Sequence, residues 1–206
     1  MGKPNFSAGR IFIAKGRGVK QRYLRTAWSS LLILLLLAGA AAALERMPVE
    51  RLDLQAKLLQ AVLKFSSQPL ERLVIGIIYV EEAKAIAQNF AAEIEKLTHN
   101  EQPIQVVFIA ANALETIPAA VNVAYVTPGA EAFLDAIAQV AAAKKILSCS
   151  GIPDYVLQKK IALSFGETDG KPQIILCLPV AKSAEHEFKN PKFLNLQTTG
   201  KLILIK

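Results

Sequence analysis

The chain is short of the side chains that usually carry chemistry, with two histidines, two cysteines and one tryptophan in 206 residues. Nucleophilic catalysis needs a base beside the nucleophile, and few pairs remain. His99 lies in the polar stretch Thr98–Pro103 and reads as a solvated loop residue. His186 is flanked by Glu185 and Glu187, but sequence neighbours point to different sides of a helix, so they do not converge on a metal. It reads as part of an exposed charged turn. Cys149 ends a short apolar run, with no histidine linked to it by a motif. Phosphate-binding glycines are missing as well. No G-x-x-x-x-G-K-[ST] occurs, and the hydrophobic run 73–80 leads into Glu81-Glu82, where a nucleotide fold would place a glycine loop. The third strand-like run ends in Tyr125-Val126-Thr127, without the Asp of a phosphoacceptor. No catalytic, cofactor-binding or metal-ligating residue is therefore expected, and no cofactor.

Acidic residues are absent from the first 44 positions. Lys3, Arg10, Lys15, Arg17, Lys20, Arg22 and Arg25 precede the uncharged Leu31–Leu44, and the first acid is Glu45. A basic block, an apolar core and small residues make an export signal. Residues 1–43 are read as a signal peptide, cut around Ala41, Ala42, Ala43 and Leu44, or as a retained N-terminal membrane anchor. Either way the positive segment stays inside and residues 44–206 face the periplasm. Seven of the 24 basic residues sit in that segment, leaving 17 to balance 17 acids, so the net charge of +7 belongs wholly to the N-terminus. The neutral remainder lacks the basic face of a nucleic-acid binder.

Residues 44–206 are long enough for one domain with a real core. Apolar residues recur at helical spacing from Val49 to Leu63, and Ser66-Ser67-Gln68-Pro69 ends the pattern. A buried strand is expected at Leu73–Val80 and a helix at Glu81–Leu97. Strands at Ile104–Ala110, Val121–Val126 and Ile146–Ser148 alternate with a short turn at Leu114–Ala120 and a helix at Ala130–Ala143. After a helical piece at Asp154–Leu157, two β-rich runs, Ile161–Phe165 and Pro172–Leu178, flank the six residues Gly166–Lys171 as a hairpin. Val180–Phe188 reads as helix, while Thr198–Ile205 is apolar but unassigned. The fold class is α/β: a mostly parallel sheet with helices on both faces, in three layers, and an antiparallel edge hairpin near the C-terminus.

Two turns, Thr127–Glu131 and Cys149–Pro153, follow strands and precede helices, where backbone N–H groups can face a ligand. Ordinary turn chemistry explains them better. Cys149 and Cys177 form an even pair compatible with a disulfide in an oxidising compartment, although two small buried hydrophobes are the favoured reading.

The pattern resembles the YfiR-like family of exported proteins. An amphipathic helix leads through Lys64-Phe65 to Pro69, and a strand and long helix follow at Leu73–Leu97. A glycine-containing hairpin, Ile161–Lys171, continues through Ile174–Leu178 to Ala181-Lys182, and the chain closes on the leucine-rich Leu196–Ile205. The chain departs from the family pattern at Gln68, at Lys159-Lys160 and at Pro179. The resemblance implies a non-enzymatic periplasmic regulator that binds the periplasmic sensor region of an inner-membrane diguanylate cyclase and represses it. It transfers no functional residue. The alternative is a periplasmic small-ligand-binding protein serving as a transport accessory. A deep pocket with convergent donors would favour that alternative, whereas a shallow apolar surface would favour a protein partner, a second copy of the chain included.

Overall fold

The computed structural model describes residues 45–47, 51–67 and 70–206. The 1–43 segment, the cleavage region Ala41–Leu44 and the start of the first helix at Pro48-Val49 lie outside them. Among the described residues, no helix is long and apolar enough to cross a membrane.

A two-residue strand, β1 (Glu45–Arg46), precedes α1 (Leu52–Leu63), whose stripe Leu52, Ala56, Leu59, Val62 and Leu63 is buried. The β-branched run becomes β2 (Val74–Tyr79). An acidic 3-10 turn at Glu81–Ala83 then leads into α2 (Lys84–Ile94). The helix stops short of the expected Leu97 because the chain reverses in a small hairpin of β3 (Thr98–His99) and β4 (Gln102–Pro103). Asn100 and Glu101 turn it at φ 49° and 64°. Next come β5 (Gln105–Ala110), β6 (Val123–Val126), α3 (Leu134–Lys144) and β7 (Leu147–Ser150). Pro153 opens α4 (Pro153–Leu157), where its missing N–H costs nothing. The chain ends with β8 (Leu163–Thr168), β9 (Lys171–Cys177), α5 (Leu178–Ser183), α6 (Pro191–Leu194) and β10 (Leu202–Ile205).

The sheet runs β10-β9-β8-β7-β6-β2-β5, and β1 pairs antiparallel with the far half of β8. From β5 to β8 all neighbours are parallel, so the α/β expectation holds. The hairpin β8–β9 is tighter than expected: the strands zip until only Asp169 and Gly170 remain, at φ 52° and 69°, the signs a type I′ turn requires. The unassigned tail supplies β10, parallel to β9, so the hairpin lies one strand inside the sheet margin.

Helices cover both faces. One layer of core packs α1, α2 and α6 against Ile75, Tyr125, Cys149 and Phe165. The other packs α3 and α4 against Ile78, Val126, Ile175 and Cys177. Gly76 is required within β2, since a Cβ there would lie 2.6 Å from Ile109 Cδ1.

Cys149 and Cys177 do not pair; both thiols are free and buried. Cys149 is in register with Leu163, which is opposite Leu176 on β9, so a whole strand separates the two cysteines, roughly 10 Å at ordinary strand spacing. A disulfide needs Cα atoms within about 7 Å. Cys177 follows Leu176 and so points to the other face, which places the thiols in different core layers.

Candidate functional site

Open parallel sheets bind ligands beyond the carboxyl ends of their strands, where the strand order reverses. Here β5 and β6 flank β2, so the reversal falls at Tyr79-Val80 and Thr127–Gly129. The protein fills part of this crevice itself. Gly129, at φ 87°, brings its backbone so near Val80 that a Cβ would lie 3.0 Å from Cγ2. One strand further, a Cβ on Gly151 would lie 2.5 Å from the Gln55 Oε1 of α1. Gln55 is buried and accepts a 2.7 Å hydrogen bond from the Tyr125 hydroxyl, whose ring stacks on Phe90 at 3.7 Å between centroids.

Most polar groups of the two turns that the sequence offers as ligand cradles are spent on local structure, while the buried Thr127 Oγ1 has no hydrogen-bond partner. Ser150 donates to the Val126 carbonyl at 2.9 Å and accepts from the Ile152 N–H at 3.1 Å. Glu131 accepts from the Tyr155 hydroxyl, and burial first, then that carboxylate, pushes the phenol pKa upward.

At the carboxyl ends of β2 and β5 an open groove of about 360 Å³ remains, lined by Tyr79, Val80, Ala110 and Phe133, and it shares Ala111, Asn112 and Phe133 with a neighbouring groove of about 450 Å³. Their charged rims are the carboxylates Glu81, Glu82 and Glu115. Beside them Tyr79 meets Phe108 edge to face at 6.3 Å, and Phe108 is 47% exposed at the sheet margin. Aromatic centres with a polar rim are the composition of protein-binding surfaces.

A third groove, of about 570 Å³, has Leu178, Phe188, Leu194 and Leu204 as its floor, with Lys182 and Lys189 at its rim. His186 also borders it and corrects the sequence reading: it is 1% exposed, not part of a charged surface turn. Its Nδ1 lies 3.2 Å from Ser66 Oγ, while Nε2 has no well-formed hydrogen bond. Burial drives its pKa below the ordinary imidazole value, with the Lys145 carbonyl acting in the opposite direction. His99 is not free in solvent either: its Nε2 sits 2.8 Å from the Leu70 carbonyl oxygen, fixing the β3–β4 hairpin. Cys149 is sealed in the core, where burial raises its thiol pKa well above the ordinary value. Among the described residues, no three His, Cys, Asp or Glu side chains are placed to hold a metal.

Gln55 and Phe108 escaped sequence reasoning. Gln55 left a trace, since a polar residue three after Leu52 and four before Leu59 sits on the buried stripe of α1. Phe108 left none, because an apolar strand run does not say which strand ends the sheet.

Residues 52–196 match the family model described as YfiR/HmsC-like. No curated protein matches the chain.

Proposed function

The chain belongs to the YfiR/HmsC-like family, and from that premise we propose that it is an exported regulator that represses a membrane-bound diguanylate cyclase through the cyclase's periplasmic sensor region. Residues 1–43 direct export, and the domain acts in the periplasm, released by cleavage at Ala41–Leu44 or held by the uncleaved segment. Repression needs no chemistry from this chain; binding one conformation of the sensor better than another shifts its balance.

The observation that carries this reading is the state of the strand-end crevice. A small-ligand protein of this architecture keeps that crevice open and lines it with donors. Here Gln55 and the tight turns at Gly129 and Gly151 occupy its β6–β7 side, leaving at Tyr79-Val80 an open groove with aromatic and carboxylate margins. Such a surface suits a protein partner.

The test has two arms. The exported domain is used to recover partners from solubilised membranes, with identification by mass spectrometry, and cyclic-di-GMP is measured in cells with and without the gene. A recovered cyclase, together with higher cyclic-di-GMP on deletion, is expected. Recovery of no membrane protein, with a tight small ligand found by thermal shift, overturns the reading in favour of the transport accessory.

A further inference from the structure

Residues 27–206 balance their charges overall, but not at the strand ends. The segments 79–84, 110–116 and 127–140 wall the two grooves there. They carry Glu81, Glu82, Glu115, Glu131 and Asp135 against one base, Lys84. Three of these acids are engaged: Glu81 lies 3.0 Å from Lys84, Asp135 is paired with Lys160, and Glu131 accepts from the Tyr155 hydroxyl. Glu82 and Glu115 remain, and among the described residues neither forms an ion pair. Glu82 rims the groove of about 360 Å³ and Glu115 its neighbour, with Phe133 common to both walls. The same strand ends hold an unmet hydrogen bond. Val126 is in register with Ile78, so Thr127 comes next to Tyr79 on one face of the sheet, and its buried Oγ1 has no partner.

We propose that the two grooves receive arginine side chains from an exposed segment of the membrane partner, one guanidinium at Glu82 and one at Glu115. The proposal rests on the reading of the chain as a regulator that binds a membrane protein. Carboxylates without counter-charges call for a cation, and they repel a phosphate or an anionic lipid surface. The walls select which cation. A guanidinium lays its plane on an aromatic ring, here Phe133 or Tyr79, while its edge donates to a carboxylate. An ammonium is a strongly hydrated point charge and gains less from such a wall. The aliphatic stem of arginine covers the apolar part of the groove, which Ala110 and Ala111 line. Open grooves bury too little of a free small molecule to hold it, so the cation arrives on a larger surface. The acid face also steers that surface in, since the rest of the domain carries no opposing net charge.

The probe is the peptide acetyl-Arg-Gly-Arg-amide, titrated at low salt into the isotope-labelled full chain in detergent and followed by nuclear magnetic resonance. Saturable shifts at the Glu82, Asn112 and Glu115 amides are expected. A citrulline peptide keeps the shape and loses the charge, and should bind about ten-fold more weakly, the product of two exposed ion pairs. Both glutamates are exposed, so Glu82→Gln and Glu115→Gln leave the fold intact, and each should weaken the arginine peptide about two- to five-fold. Added salt should weaken the wild type more than the double variant. In cells, the double variant should raise cyclic-di-GMP towards the level of the deletion at unchanged protein abundance. Three results overturn the proposal and leave the regulator reading standing: shifts that the citrulline peptide reproduces, shifts elsewhere on the domain, or a double variant that binds and represses like wild type. A deletion that leaves cyclic-di-GMP unchanged overturns the regulator reading instead, and the titration then decides by itself whether the grooves take arginine.

Discussion

Gly151→Ala tests the claim that the strand ends beside Gln55 are filled to contact. The added Cβ would lie 2.5 Å from Gln55 Oε1 and 2.9 Å from Nε2, distances no real methyl tolerates. Gln55 cannot swing into water, because it is only 2% exposed and its Oε1 holds the Tyr125 hydroxyl at 2.7 Å. Overpacking a filled site costs about 1–3 kcal/mol, and displacing a buried hydrogen bond about 1 kcal/mol more. A total near 3 kcal/mol lowers Tm by roughly 6–12 °C in a domain of this size. Gln55→Ala by itself also destabilises, since it empties space and removes a Tyr125 partner. In the double variant, however, the new methyl enters the vacated space, so the two costs should fall short of their sum by about 2 kcal/mol. Urea denaturation followed by far-ultraviolet circular dichroism measures all four corners of the cycle. Costs that add to within about 0.5 kcal/mol, as for independent sites, would refute the packing argument.

The same reasoning applies within β2, where Gly76→Ala meets Ile109 Cδ1 at 2.6 Å. A loss of about 1–3 kcal/mol is expected, partly recovered by Ile109→Val, which removes that one carbon; failure to recover it in chemical denaturation would place the strain elsewhere. For the cysteines, alkylation of unreduced protein followed by intact mass should add no label to the folded chain and two labels in denaturant, because both thiols are free and buried. A single or absent label in denaturant would contradict that. For His186, burial lowers the native pKa, so the unfolded chain takes up a proton first as pH falls. Stability should be level above the ordinary imidazole pKa of about 6.5 and decline below it, by at most about 1.4 kcal/mol per pH unit, until the native pKa is reached. His186→Gln should flatten urea midpoints between pH 7 and pH 5; an unchanged slope would count against a buried neutral imidazole.

Patterns that act locally were legible in the sequence. The stripe on α1, the β-branched run of β2 and the β-α alternation gave the layered parallel sheet directly, since each follows from the side-chain period of one element. What failed depended on contacts across the chain. His186, between two glutamates, looks like surface until Ser66 and Ser67 at the end of α1 close over its loop, with Ser67 N–H bonded to the Glu187 carbonyl at 2.8 Å. Asp169-Gly170 was visible as a turn signal, but its true length depended on Glu167 and Thr168 joining the ladder opposite Pro172 and Lys171. The tail Leu202–Ile205 was ambiguous for the same reason, as a four-residue apolar run becomes a strand only when β9 offers a margin. The candidate site was hardest to see, because a filled crevice and an open one follow the same strand and turn pattern. Only close approaches such as those of Gly151 to Gln55 and Gly129 to Val80 tell them apart.

The placing of the two thiols also limits what signals this domain can receive. A regulator that reads the oxidising state of its surroundings needs a sulfur that a small oxidant or a second thiol can reach, and a partner sulfur close enough to trap the change. Cys149 and Cys177 meet neither requirement: each is enclosed in its own half of the interior, with a strand between them and their side chains turned away from each other. While the domain stays folded, thiol–disulfide exchange carries no message into it. Information must enter by contact, through whatever settles on its strand ends or its open margin.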